Sequence, residues 1–303
     1  MAVTARPRFS IGMKGLAIGW TLAASATLAA AAPPPAWAED GGLLALGDSV
    51  VYGYIEGDGY AYRNPGNFVG YPEYAGQRLG LDSTNASCPG ETAAGFVSWT
   101  GADNGCRPFR AAFPLHVAYG AAQTQLNWAT NFLSTHKNTR LVTIGLGAND
   151  GFLLQRACAS AADPSACVQN GLPATLGAVY ANMNTLLGNL KATGFKGVLM
   201  VVNYYSLDYS DALGTGFTSA LNDTLAAVAA ANGAVVADAF SAFQNAAAPF
   251  NGKTCVAGLL NGANPQAAAP PFACDVHPSV SGQKLLARTV AAAFAKAGGH
   301  ARD

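Results

Sequence analysis

Short apolar segments alternate with longer amphipathic stretches along most of this chain. Apolar runs predict strands at residues 43–46, 81–85, 140–146, 197–203 and 234–237. Apolar residues at helical spacing predict helices at residues 123–134, 175–193, 216–232 and 280–297. This alternation is typical of a parallel sheet with helices on both faces. The pattern therefore predicts a three-layer α/β/α sandwich around a central parallel sheet of about five strands.

The N-terminal residues differ in character from the rest of the chain. Arg6, Arg8 and Lys14 precede an apolar stretch at residues 15–32, and Ala-Trp-Ala at 36–38 fits a signal-peptidase site. A membrane anchor is the competing interpretation, but polar residues and three prolines interrupt and end the stretch. We predict a cleaved signal peptide at residues 1–38 and one domain at residues 39–303, which has enough apolar residues to bury a large core.

The charge of the exported chain excludes two classes of partner. Removing residues 1–38 leaves 14 basic and 17 acidic side chains, a net charge of −3. Neither a nucleic acid nor an anionic membrane surface would attract such a chain. We expect a secreted monomer, extracellular or periplasmic, with no stable membrane anchor.

Six cysteines follow the predicted signal peptide, an even number that favours three disulfides in an oxidising compartment. Closing short local loops predicts three sequential pairs: Cys88 with Cys106, Cys158 with Cys167, and Cys255 with Cys274. A zinc site is disfavoured because the chain has no C-x-x-C and its histidines are not interleaved with the cysteines. The sequence predicts no metal and no cofactor.

Residues that follow the predicted strands are the candidates for chemistry, because ligands of open parallel sheets bind at the carboxyl ends of strands. Ser49 lies on a tight turn after the first strand, with Gly47 leaving room for its hydroxyl. Gly90, after the second strand, can offer a backbone N–H to a developing oxyanion. Each could instead be an ordinary turn residue.

Two further candidates lie after the third strand and before the last helix. Asn149 in "LGANDG" offers a side-chain amide as an oxyanion donor, or could belong to a turn that caps the next helix. His277 in "CDVHPSVSG" can act as general base if its loop folds over Ser49. The other histidines, at positions 116, 136 and 300, are interpreted as solvated surface residues.

Taken together, these blocks resemble the SGNH hydrolases, also called the GDSL family of esterases and lipases. The resemblance covers residues 43–297, with the blocks in the family's order. It implies that Ser49 is the nucleophile and His277 the base. It also implies an oxyanion hole formed by the Ser49 N–H, the Gly90 N–H and the Asn149 side chain. No G-x-S-x-G string occurs, which argues against an ordinary α/β-hydrolase.

The third member of the catalytic triad departs from the family pattern. The family's acid lies three residues before the histidine, where this chain has Cys274, and Asp275 is only two residues before it. Either Asp275 reaches the imidazole by another loop path, or a backbone carbonyl such as that of Cys274 orients the ring. Asp275 is favoured, because a carboxylate also stabilises the imidazolium formed during the reaction.

The resemblance implies a secreted serine esterase or lipase that hydrolyses small-molecule or lipid acyl esters. A carbohydrate acetyl esterase and an acyltransferase are the alternatives, and an inactive exported binding protein is a third. Tyrosine-rich segments at residues 52–74 and 203–211 are expected near the site. They could hold an acyl chain, stack on sugar rings or belong to the core.

Overall fold

The computed structural model describes residues 41–57, 59, 61–262 and 274–299. Within them one parallel sheet has five strands: β1 (Gly42–Gly47), β2 (Asp82–Asn85), β3 (Thr139–Gly145), β4 (Val198–Val202) and β5 (Val235–Ala237). Their order is β2-β1-β3-β4-β5. Each strand coincides with a segment predicted from an apolar run, and the predicted fold class is confirmed.

Ten α-helices lie within the same described residues: α1 (Ser49–Tyr52), α2 (Tyr71–Leu79), α3 (Ala93–Val97), α4 (Cys106–Ala112), α5 (Gln125–Thr135), α6 (Ala148–Cys158), α7 (Pro164–Ala192), α8 (Ala212–Ala231), α9 (Ala239–Ala247) and α10 (Val280–Lys296). Four of them contain or overlap the predicted helices. The prediction missed the first part of α7, which begins at Pro164 rather than at residue 175.

The helices form two layers, because alternate residues of the strands point to opposite faces of the sheet. On one face, β1 and β3 side chains such as Leu44 and Ile144 pack against α3, α5, α7 and α8. On the other face, Leu43 and Leu141 pack against α2, α9 and α10. A smaller aromatic cluster lies beside the sheet, around Tyr52.

The segment before the last helix is a strand rather than the loop that the sequence predicted. Strand β7 (Cys274–Pro278) pairs antiparallel with β6 (Leu260–Gly262). Pairing between two such short strands leaves no periodic signal in the sequence, which is why the prediction was wrong here. The Ala- and Pro-rich stretch at residues 263–272, whose composition predicts a surface loop, the predicted signal peptide and His300 lie outside the described residues. Among the helices that are described, none is long and apolar enough to cross a bilayer.

Three disulfides join Cys88 to Cys106, Cys158 to Cys167 and Cys255 to Cys274. These are the sequential pairs expected from the sequence. The first links the segment after β2 to α4, and the third joins β7 to the residues just before β6. Crosslinks of this kind stabilise an exported domain by roughly 2 to 4 kcal/mol each.

Candidate active site

The candidate residues meet at the carboxyl edge of the sheet, between β1 and β3. The helix that leads from β1 back to β2, α2, and the long helix between β3 and β4, α7, pack on opposite faces of the sheet. The connections from β1 and β3 therefore leave towards opposite faces, and a crevice forms between the ends of the two strands. Ligands of open α/β sheets bind in such a crevice. Ser49 follows β1 and Asn149 follows β3, so both side chains lie at this crevice.

Ser49 is held at the start of the short helix α1. Asp48 caps that helix by accepting a hydrogen bond from the Val50 N–H at 2.9 Å. Gly47 has a φ of 141°, and a Cβ atom there would lie 2.1 Å from the carbonyl oxygen of Gly145. Only glycine allows β1 to approach β3 this closely at the turn, so the position of the hydroxyl depends on Gly47.

The structure brings Ser49, His277 and Asp275 into one hydrogen-bonded chain. The Ser49 Oγ lies 2.9 Å from His277 Nε2. His277 Nδ1 lies 2.8 Å and 2.9 Å from the two carboxylate oxygens of Asp275. This is the geometry of a nucleophile, a base and an acid that orients the base. Of the two alternatives left by the sequence, Asp275 is the group that contacts the imidazole.

Asp275 is ionised in this arrangement. Burial alone would raise the pKa of its carboxyl, but the hydrogen bonds that the carboxylate accepts from the side chain and backbone of His277 outweigh burial and hold the pKa below the ordinary value. Neighbouring side chains fix the imidazole. The Tyr205 hydroxyl donates to the carbonyl of Val276 at 2.7 Å, and the ring of Tyr54 lies 4.8 Å from the His277 ring between centroids.

Asn149 lies near the start of α6 with its side-chain amide turned towards the Ser49 turn. Its Nδ2 donates to the Glu91 carbonyl at 2.9 Å and lies 3.5 Å from Asp48 Oδ2, while its Oδ1 accepts from Asn104 at 2.7 Å. The contact with Asp48 is at the limit of a hydrogen bond. One N–H of the amide can therefore turn to a substrate oxygen at little cost.

Gly90 lies on the loop between β2 and α3. This loop contacts both Gly47, next to the Ser49 turn, and Asn149. The N–H of Cys88, two residues earlier, donates to the Gly47 carbonyl at 3.0 Å, and the carbonyl of Glu91 accepts from Asn149. Gly90 has a φ of 82°, and a Cβ atom there would meet the Asn104 carbonyl at 2.7 Å. Its N–H has no hydrogen-bond partner among the described residues.

Two side chains of the site make contacts that the sequence did not predict, although Tyr204 belongs to the tyrosine-rich segment at residues 203–211 that was expected near the site. The Tyr204 hydroxyl, just beyond β4, donates to Asp48 Oδ2 at 2.5 Å. Asp48 is buried, and burial raises the pKa of its carboxyl to about 6. Gln125, at the start of α5, accepts from the Gly47 N–H at 3.0 Å and donates to the Gly47 carbonyl at 2.8 Å. Both contacts join residues far apart in the sequence.

The tyrosine-rich segments divide between core and site. Tyr52 and Tyr71 are buried in the hydrophobic clusters. In contrast, Tyr54 contacts His277. Two other tyrosines, Tyr204 and Tyr205, line the cavity beside Ser49. His116, interpreted from the sequence as a solvated surface residue, is half-buried. Its ring packs on Tyr52 at 4.5 Å between centroids, and its Nε2 lies 3.2 Å from the Tyr52 carbonyl.

Glu91 makes the stability of the site region depend on pH. Burial raises the pKa of its carboxyl to about 8, against the opposing hydrogen bond from Gln125 Nε2 at 3.0 Å. The folded protein therefore holds this proton more tightly than the unfolded chain. The contribution of Glu91 to stability is fully present below the unfolded pKa and is lost as pH rises through about 8.

We expect Glu91→Gln, which cannot ionise, to unfold with a smaller loss of Tm between pH 6 and pH 9 than the unmodified protein. Thermal unfolding followed by circular dichroism across this range measures the difference. Glu56→Gln, at an exposed carboxyl, serves as the matched control and should follow the unmodified protein. Parallel Tm curves for Glu91→Gln and the unmodified protein would contradict the expectation.

A cavity of about 330 Å³ opens beside the triad. Ser49, Asn149 and His277 form one side of it, and Phe152 and Phe217 belong to its apolar lining. A cavity of this size is at the small end of the range that binds organic ligands. The Ser49 side chain therefore opens onto a largely apolar cavity.

A sequence profile of the GDSL-like lipase/acylhydrolase family matches residues 45–285 of this chain. The matched segment contains every residue of the triad and both oxyanion candidates, and it ends inside α10. No curated protein matches the chain in sequence.

Three solved structures illustrate what this chain is similar to. LAE5, an alpha/beta hydrolase enzyme from the metagenome of Lake Arreo, Spain, is 16% identical with a TM-score of 0.51, covering 84% of this chain and 95% of its own. Axe2, an acetylxylan esterase from Geobacillus stearothermophilus, is 16% identical with a TM-score of 0.49, over 84% and 94%. A lipolytic G-D-S-L protein from Veillonella parvula is 17% identical with a TM-score of 0.48, over 84% and 98%.

Proposed function

We propose that this chain, which belongs to the GDSL-like lipase/acylhydrolase family and is a carboxylic ester hydrolase, cleaves acyl esters through an acyl-enzyme on Ser49. The observation that carries the proposal is the hydrogen-bonded chain from the Ser49 Oγ through His277 to Asp275. A hydroxyl 2.9 Å from an oriented imidazole can lose its proton as it attacks a carbonyl carbon.

In the acylation step, the Ser49 Oγ forms a bond to the ester carbonyl carbon while His277 Nε2 takes the hydroxyl proton. The carbonyl π electrons move to the oxygen, which becomes the oxyanion. The tetrahedral intermediate then collapses, the bond to the alcohol oxygen breaks, and His277 gives its proton to that oxygen. Asp275 stabilises the imidazolium between these two transfers.

In the second half of the reaction, water replaces the alcohol. His277 takes a proton from the water as its oxygen attacks the acyl-enzyme carbonyl. Collapse of this second intermediate breaks the bond to Ser49, and His277 returns the proton to the serine oxygen. The products are the free acid and the regenerated enzyme.

The oxyanion would rest on the N–H groups of Ser49 and Gly90 and on the Asn149 side chain. Support for Gly90 comes from its unused N–H and from its position between the contacts to Gly47 and Asn149. Support for Asn149 comes from the weak contact to Asp48 that an oxyanion can replace. Donors that are already oriented favour the transition state without reorganisation.

We also propose that the enzyme is exported after cleavage of residues 1–38. Three disulfides among the described residues support this, since disulfides persist in oxidising compartments. The matched segment of the chain begins after the proposed cleavage site.

The proposal is tested with an alkyl p-nitrophenyl phosphonate, which mimics the tetrahedral intermediate. Attack by the Ser49 Oγ on phosphorus would release one p-nitrophenolate per protein molecule and leave the phosphonyl group on the Ser49 peptide. Peptide mass spectrometry locates the group, and absorbance measures the released p-nitrophenolate.

Ser49→Ala should release no p-nitrophenolate, whereas Ser98→Ala, at an exposed serine, should react like the unmodified protein. Stoichiometric labelling of any other residue, or the absence of labelling in a protein that hydrolyses p-nitrophenyl acetate, would overturn the proposed nucleophile.

A further inference from the structure

The cavity beside Ser49 lies between helices α6 and α8. The lining residues of α8 include Gly214, Phe217, Thr218 and Leu221, which share one face of the helix at i, i+3, i+4 and i+7. This face spans about 10 Å along the helix axis. Leu221 is almost fully buried, whereas Gly214 is half-buried, so the cavity runs from the sheet edge towards solvent.

The walls of this cavity suit a hydrocarbon chain better than a polar group. Phe152, Leu207 and Val276 face the α8 residues across it. Ser49 and His277 are committed to the proposed reaction, and two further polar groups of the lining, Asp208 and Asp211, accept hydrogen bonds from the backbone of their own turns. Burial of each further methylene group of a substrate there is expected to raise kcat/KM about fourfold, until the chain meets an obstacle.

Phe217 is the candidate for that obstacle, because it lines the cavity and its ring lies against a glycine of the opposite helix. A Cβ atom built on Gly151 of α6 would lie 2.5 Å from Phe217 Cζ and 2.9 Å from Cε1. The tip of the ring therefore rests directly on the α6 backbone. It bridges the gap between the two helices, one turn along α8 from Leu221.

We propose that this cavity binds the acyl chain of the ester and that the Phe217 ring, seated on Gly151, sets the longest chain that fits. The inference rests on the proposed acyl-enzyme at Ser49. Short and medium acyl chains would then be the preferred substrates, with a sharp fall in kcat/KM once the chain reaches the ring.

Two substitutions move the obstacle in opposite directions. Phe217→Ala removes the ring, and we expect the preferred acyl chain to become longer by at least two carbons. Gly151→Ala forces the ring off the α6 backbone into the cavity, and we expect a shorter preferred chain with at least a tenfold loss for the longest good substrate. If the ring transmits the effect of Gly151→Ala, the double variant should have the profile of Phe217→Ala alone.

The experiment measures kcat/KM for p-nitrophenyl esters with acyl chains of two to sixteen carbons, and in parallel for acetate esters of alcohols of rising length. Circular dichroism and Tm verify folding, and Phe217→Leu replaces Phe217→Ala if the latter does not fold. Gly177→Ala, where a Cβ atom has no neighbour within 4 Å, and Phe132→Ala, on α5, are the matched controls and should keep the unmodified profile.

Different results would contradict the proposed ester hydrolysis and the proposed role of Phe217. Inactivity of the unmodified protein on all these esters would contradict the proposed function, and with it this inference. Activity with an acyl profile that Phe217→Ala leaves unchanged would overturn the inference alone. So would a change confined to the alcohol series, or an effect of Gly151→Ala that persists when the ring is absent.

Discussion

Ser49→Ala is expected to lower kcat for p-nitrophenyl acetate by about 10⁴-fold or more, because the substitution removes the atom that forms the acyl-enzyme. His277→Ala should cause a loss of similar size, since the hydroxyl would keep its proton. The two side chains act as one unit, 2.9 Å apart. The double variant should therefore be no slower than either single variant, and steady-state kinetics on purified protein measure all three.

Contaminating esterases are the main hazard of such a measurement. Titration with the phosphonate counts the reactive sites in each preparation. The Ser98→Ala variant, carried through the same purification, reports any loss of activity that the purification itself causes. Undiminished activity in a Ser49→Ala preparation free of other reactive sites would exclude Ser49 as the nucleophile. Multiplicative losses in the double variant would show that Ser49 and His277 act independently.

Asp275→Asn is expected to lower kcat by about 10³- to 10⁴-fold with little change in KM. An amide at this position cannot stabilise the imidazolium, and its NH₂ favours the wrong tautomer of His277. The pKa of Asp275 lies below its ordinary value, so the carboxylate supports the imidazole throughout the neutral range. That support is lost only as pH falls through the lowered pKa.

Asp223→Asn, at an exposed position of α8, is the matched control and should retain full activity. Near-normal kcat for Asp275→Asn would mean that the carboxylate is dispensable and that a backbone carbonyl suffices to orient the ring. The kinetics of this one variant therefore decide between the two alternatives that the sequence left open.

Most of the fold could be predicted because it depends on local pattern. Strands such as β3 and β4 are buried on both faces and appear as apolar runs. Where a local pattern misleads, the prediction fails. Pro173 lies inside α7 and none of the helix residues before it is buried, so neither an apolar stripe at helical spacing nor the usual stop rule reveals that the helix begins at Pro164.

Some residues of the site could be predicted from the sequence and others could not. Ser49, Asn149 and His277 could be proposed because each lies just beyond a strand or before a helix and carries a reactive or donor group. Gln125 could not, and the tyrosine-rich segment indicated only that Tyr204 lies near the site, because their contacts with Gly47 and Asp48 join residues 78 and 156 positions apart. Side chains that act by holding a backbone or a buried carboxylate have no characteristic spacing.

His277 lies so late in the chain that its position bears on when during synthesis the site can assemble. All five strands of the sheet, together with Ser49 and Asn149, precede residue 238, whereas His277 lies just before α10. That helix covers the sheet face packed around Leu43 and Leu141. A chain synthesised only as far as β5 would contain Ser49, the proposed nucleophile, but would lack His277, the proposed base, and the helix that covers this face of the sheet. Under the proposed mechanism, completion of this core and the gain of hydrolytic activity would therefore coincide at the end of synthesis.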